Sequence, residues 1–178
     1  KELLLNIGNK SYKNGDLSKA IKFYNKSLEF DPEFYLAYFQ LGVLAKKQEN
    51  SKLAISNLNK VLELKPEHDK TWFTLGTAHE SDGNLDEAIL HYSKAIEINP
   101  KYADGFRTLS NQIKFEKNDQ LITKMENIYN DTATDNENKM FISFALGKAF
   151  SNIKNYELAF RYYEIGNQIR KNLLGYDL

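Results

Sequence analysis

The chain has no cysteine, which rules out a disulfide framework, a thiolate metal site and a cysteine nucleophile. That absence fits a reducing compartment and gives the expectation of a cytoplasmic protein. No apolar run approaches the ~20 residues of a membrane-spanning helix, and no secretory leader is visible, so no membrane partner is expected. An excess of one charge is missing too: 24 Lys and Arg balance 24 Asp and Glu, for a formal net charge of zero. Without a basic run or a basic balance, no nucleic-acid partner is expected. Glycine-rich phosphate loops, GxSxG elbows and HExxH spacings do not occur, so neither a catalytic site nor a cofactor is expected.

Proline is scarce, and its placement is informative. The three prolines, Pro32, Pro66 and Pro100, stand 34 residues apart. The same step joins Gly8, Gly42 and Gly76, and again Ala20, Ala54 and Ala88. The clearest copy runs from Trp72 to Pro100: Trp72, Leu75, Gly76 and His79, a break at Asp82-Gly83-Asn84, then Leu85, Ala88, Tyr92, Ala95 and Ile96. Apolar and small residues at three- and four-residue steps on both sides of the break predict two amphipathic helices joined by a tight turn. Small residues at Gly76 and Ala88 allow the two axes to approach to about 8–10 Å. Proline, unable to donate a helical hydrogen bond, ends one hairpin and begins the next.

This pattern resembles the tetratricopeptide repeat over roughly the first hundred residues. The resemblance implies an all-α, right-handed superhelical solenoid of antiparallel helix hairpins, about five in number. Hairpins take residues 1–34, 35–68 and 69–102, then a divergent 103–139, then 140–178, within one solenoid domain. The first turns at Asn14-Gly15-Asp16. The second turns at Gln48-Glu49-Asn50, where Asn50 is expected to supply the left-handed conformation that glycine supplies elsewhere. In the fourth, Ile122 stands where alanine is expected, so that pair should cross less closely. A polar stretch, Asn130 to Asn138, reads as a loop rich in helix-starting residues. The fifth returns at Leu146, Gly147, Phe150, Tyr156, Ala159 and Tyr163, and its second helix carries a further stripe, Ile165, Ile169 and Leu173, that ends near Gly175.

A second resemblance is local. Phe144 to Phe150, followed by Tyr156, Ala159-Phe160, Tyr163 and Gly166-Asn167, is similar to the last repeat before the catalytic domain of bacterial repeat-containing sulfotransferase-like proteins. Because the chain opens at Lys1 already in helical phase, it reads as a fragment of a longer protein, and this resemblance makes it the non-catalytic arm of one.

Among residues that could carry chemistry, His68, His79 and His91 read as structural or solvated, since a metal site needs several converging ligands. The carboxylates, such as Asp86-Glu87, fall on outward helix faces. In hairpins of the tetratricopeptide kind the first helices line a concave groove through repeat positions two, five, six, nine and twelve. The resemblance therefore implies a ligand-binding groove that includes Asn9, Tyr12, Phe39, Gln40, Val43, Lys70, Phe73, Thr74, Arg107 and Asn111. Phe39 and Phe73 would be its anchors, and Gln40, Lys70 and Arg107 its orienting groups. Of the five groups that grip a carboxylate in chaperone-binding repeats, Asn9 and Lys70 are in phase, whereas Leu5, Gln40 and Thr74 replace the others. Capture of a chaperone tail is not expected without the guanidinium fork. The function this implies is a scaffold for a peptide or protein partner. The alternatives are the arm of a transferase that recruits substrate, a groove filled by the protein's own segments, and a homo-oligomer built through the C-terminal helix.

Overall fold

The computed structural model describes residues 1–175. The last three positions assigned to the fifth hairpin, 176–178, lie outside the described residues. Among the described residues there are ten helices and no strand. They are α1 (Glu2–Lys13), α2 (Leu17–Phe30), α3 (Tyr35–Lys47), α4 (Ser51–Leu64), α5 (Asp69–Ser81), α6 (Leu85–Ile98), α7 (Ala103–Gln112), α8 (Gln120–Asn130), α9 (Asn136–Asn152) and α10 (Tyr156–Leu174). The backbone packs as two compact units, Lys1–His91 and a second from Tyr92 onward, with the division falling inside α6.

One local device makes the hairpins. In four turns a residue with positive φ follows the helix end: Gly15, Glu49, Gly83 and Lys154. The next residue, always Asp or Asn, then sends its N–H back five residues: Asp16 to Ser11 O, Asn50 to Ala45 O, Asn84 to His79 O and Asn155 to Phe150 O, at 2.9–3.0 Å. This is the Schellman closure, which satisfies carbonyls that the helix end would leave bare. At Asp16, Asn50 and Asn155 the same side chain caps the following helix, accepting from the N–H of Lys19, Leu53 and Leu158. One residue thus ends one helix and starts the next. The structure corrects the expectation for Asn50: Glu49, at φ 58°, takes the left-handed conformation, and Asn50 is the cap. The cap geometry at Asn50 needs negative φ, which pushes the left-handed role one residue back.

In the first unit, Ala20, Ala54 and Ala88 are fully buried, as is Tyr24. A Cβ on Gly8 would meet the Tyr24 ring at 2.5 Å, and one on Gly42 would meet Leu58 at 2.7 Å. The helix pairs α1–α2 and α3–α4 therefore close on glycine. Trp72 is half-buried, with its indole N–H donating to Pro66 O at 2.7 Å, while Thr71 beside it is fully buried. Truncating Trp72 would open a surface notch rather than a closed cavity.

In the second unit α9 is the central helix, with α7, α8 and α10 packed against it. Its pairing with α10 is reciprocal. A Cβ on Gly147 would meet the Tyr163 ring at 2.7 Å, and one on Gly166 the Phe144 ring at 3.0 Å, so each helix receives a ring of the other over a glycine. The α7–α8 connection, residues 113–119, is longer than the other turns; it buries Phe115, whose N–H donates to Asn152 Oδ1 at 3.2 Å. With Ile122 buried at the alanine phase, a trough of about 580 Å³ opens along α6, α7 and α8, lined by Ile96 and Pro100, by Phe106 and Leu109, and by Leu121 and Ile128. The loop of the polar stretch ends sooner than its composition suggests: Asp135 accepts from Asn138 N–H at 2.8 Å and starts α9 at Asn136.

Candidate functional site

In the first unit four of the eight residues expected to face a ligand, Asn9, Tyr12, Phe39 and Thr74, make contacts within the fold. Asn9 Oδ1 accepts from the Tyr24 hydroxyl at 3.0 Å. Burial, with Tyr12 nearby, pushes the pKa of that hydroxyl up to about 12. Tyr12 packs against the α1–α3 core and carries the Lys47 ammonium 4.9 Å above its ring. The Phe39 ring lies edge-on to His68 at 5.1 Å, and His68 shares a 2.7 Å hydrogen bond with Thr71 Oγ1. Thr74 is buried and donates its hydroxyl to Lys70 O at 2.6 Å. Lys46 reaches Thr77 Oγ1 at 3.0 Å, tying α3 to α5. Gln40, Val43 and Phe73 are half-buried, and Lys70 is exposed. Phe39 thus packs on the imidazole that precedes α5, and the Thr74 hydroxyl bonds the carbonyl one turn back in its own helix.

The histidines are structural in their contacts. His79 and His91 stack at 5.0 Å between ring centroids, with Trp72 5.5 Å from His91, and both Nδ1 atoms are buried without a hydrogen-bond partner. Burial, and after it the neighbouring His79, holds the His91 pKa below its ordinary 6.5. Near-parallel rings cannot aim their in-plane lone pairs at one point. Among the described residues, no three His, Asp or Glu side chains gather in a metal-binding group. Nor is any described helix long and apolar enough to cross a membrane.

The second unit holds an open cleft. Arg107 and Asn111 on α7 line a cleft of about 530 Å³ together with Met140, Phe141, Phe144 and Lys148 on α9 and Tyr163 and Arg170 on α10. Arg107 donates from Nε at 2.9 Å and from Nη2 at 2.6 Å to Asp104 Oδ1, and its guanidinium lies 5.3 Å from the Phe141 ring centroid. Among the described residues, no carboxylate lines the cleft. Its α9 residues escaped the sequence reading although the signal was there. Gly147 stands at the phase of Gly8, so carrying the groove positions into the fifth hairpin reaches Phe141, Phe144 and Lys148. Arg170 lies beyond the repeat template and could be found only from the length of α10. The stripe Ile165, Ile169 and Leu173 divides: the isoleucines are half-buried, and the exposed apolar end consists of Leu173 and Leu174.

Comparison with known proteins agrees with this architecture. Tetratricopeptide repeat models match residues 2–34, 35–68 and 69–102. No curated protein matches the sequence. Among solved structures, the crystal structure of MamA is similar at a TM-score of 0.70 and 22% identity, covering 96% of this chain and 98% of that one. YrrB, described as a TPR protein with an unusual peptide-binding site, gives 0.65 and 20% identity, with 93% and 84% covered. The first TPR of Spaghetti (RPAP3), bound to the HSP90 peptide SRMEEVD, gives 0.59 and 24%, with 62% and 87% covered. With three successive hairpins matched by the repeat models and the glycine, alanine and proline phases realised as helix closures, the chain belongs to the tetratricopeptide repeat family.

Proposed function

We propose that the chain is a non-catalytic protein-interaction module that holds a peptide or protein segment on side chains presented by its first helices. The observation that carries this reading is the cleft of the second unit, where Arg107, Asn111 and Lys148 stand beside half-buried rings and the cations Lys148 and Arg170 have no ion-pair partner among the described residues. Side chains that folding does not use, set around an apolar floor, are what a peptide site requires. That YrrB and the RPAP3 repeat are described as peptide-binding lends precedent on the same fold.

An unbiased array of peptides, probed with the full chain and with Phe141→Ser, tests it. Peptides captured by the wild type should be lost in the variant while helicity stays near wild type; unchanged capture overturns the assignment. A second reading, self-association, is favoured by Leu173 and Leu174, 50% and 58% exposed at the end of α10. Sedimentation of a Leu173→Ser, Leu174→Ser variant should then show a smaller species than the wild type.

A further inference from the structure

We propose that the cleft between α7, α9 and α10 takes an internal acidic segment of a partner protein, with one aliphatic side chain of that segment seated on the cleft's ring-lined floor. This rests on the interaction reading above and names the chemistry of the ligand.

Charge decides the class. The molecule as a whole is neutral, with 24 cations against 24 anions, so a local surplus of cations is a property of the place and not of the composition. Lys148 and Arg170 enter the cleft with no ion-pair partner among the described residues, and none of those residues places a carboxylate in its lining. Arg107 is compensated by Asp104 on its own helix, so two positive charges are left for a ligand to meet. Rings and a thioether around them lower the local polarity, which strengthens a charge-assisted hydrogen bond to a carboxylate beyond its value on an open surface.

Shape supplies the second half of the ligand. Phe144 is seated over Gly166 and Tyr163 over Gly147, so two walls of the cleft are fixed by the helix pairing itself and need no ordering when a ligand arrives. The apolar surface between them suits a side chain of leucine size. A chain terminus is not needed. The positions that would grip a terminal carboxylate hold Leu5, Gln40 and Thr74, all in the first unit, and Thr74 is hydrogen-bonded within α5.

The test is a fluorescence-anisotropy titration of labelled acetyl-Glu-Asp-Glu-Leu-Asp-Glu-amide with the full chain. Saturable binding is expected, weakened about ten-fold or more when salt rises from about 0.05 to about 0.5 M. Replacing the peptide leucine by glycine should cost about ten-fold in affinity. The variant Lys148→Glu with Arg170→Glu, checked for native helicity, should lose at least about ten-fold. Equal affinity for the charge-reversed acetyl-Lys-Arg-Lys-Leu-Arg-Lys-amide overturns the proposal, as does tighter binding of a single-stranded oligonucleotide or unchanged affinity in the double variant. If the acidic peptide fails while other peptides from the array bind and are lost in Phe141→Ser, the acidic class falls and the interaction reading stands. Silence of every peptide removes both.

Discussion

Asn9 and Tyr24 illustrate how a residue at a groove phase can also serve a hydrogen bond of the fold. Tyr24 is wholly buried, and its hydroxyl has Asn9 Oδ1 as its acceptor, whereas Asn9 is only half-buried and can meet water. The two deletions are therefore unequal. Asn9→Ala strands a buried hydroxyl and should cost ~1–3 kcal/mol; Tyr24→Phe lets the amide hydrate and should cost less than ~1 kcal/mol, both read from urea unfolding. Equal costs would mean that the hydroxyl finds another partner. The turns offer a change of opposite sign. Glu49 and Lys154 hold left-handed backbone at φ 58° and 62°, where an L side chain costs ~1–2 kcal/mol and glycine little. Glu49→Gly and Lys154→Gly should each raise stability by ~0.5–1 kcal/mol after glycine's entropy is counted. A urea midpoint that fails to rise would show the strain to be absent.

Single residues are legible in the sequence where a shape requirement leaves few choices. Glycine at 8, 42 and 147 marks where a helix meets Tyr24, Leu58 and Tyr163, and these contacts recur at one sequence offset. Phe39 was open to two readings, since a ring at that phase serves a ligand or a neighbouring imidazole equally well, and it lies on His68.

At the scale of the helix, α5 and α6 carry a pH dependence. His68 is held below its ordinary 6.5 by burial, with Lys70 and Lys65 acting the same way against Asp69. His91 is lowered by burial and then by His79, against Glu87. Because both pKa values fall on folding, the unfolded chain binds more protons below pH 6.5. The contribution is therefore complete above pH 6.5 and is lost as pH falls beneath it. Unfolding free energy should drop between about pH 7.5 and pH 5.5, and His68→Gln with His91→Gln should flatten that slope. A slope of the other sign would place the histidines in contact with anions.

Helix pairing makes a second prediction. Gly147→Ala drives a methyl to 2.7 Å from the Tyr163 ring and should cost ~1–3 kcal/mol with loss of the α9–α10 fit, visible in thermal unfolding. The hairpins were legible because periodicity, turn residues and proline agree at every copy. The α7–α8 pair was legible only as a departure: Ile122 announced that the pair could not close on alanine, but nothing in the sequence located the trough or the burial of Phe115.

For the whole molecule, balanced charge has a physical cost. Net charge is zero and the isoelectric point about 7.0, so long-range repulsion between copies is weakest near neutral pH. Solubility should pass through a minimum near pH 7 and recover about two pH units to either side in low salt. A turbidity profile without that minimum would point to short-range apolar contacts, for which Leu173 and Leu174 are the exposed residues to replace. The cleft was only half legible on this scale. Arg107 and Asn111 follow from the repeat phase, while Arg170 depends on where α10, at 19 residues, stops.

The trough bordered by α6, α7 and α8 also bears on how the chain would yield to force. Hairpins closed on glycine must break packed contacts over their whole length before they lengthen, whereas α7 and α8 border a trough and close on no glycine. Pulled by its ends in an optical trap, the molecule should release the stretch from Ala103 to Asn130 first and at the lowest load. That fourth segment would then act as the weak link of the array, giving way while its neighbours stay wound.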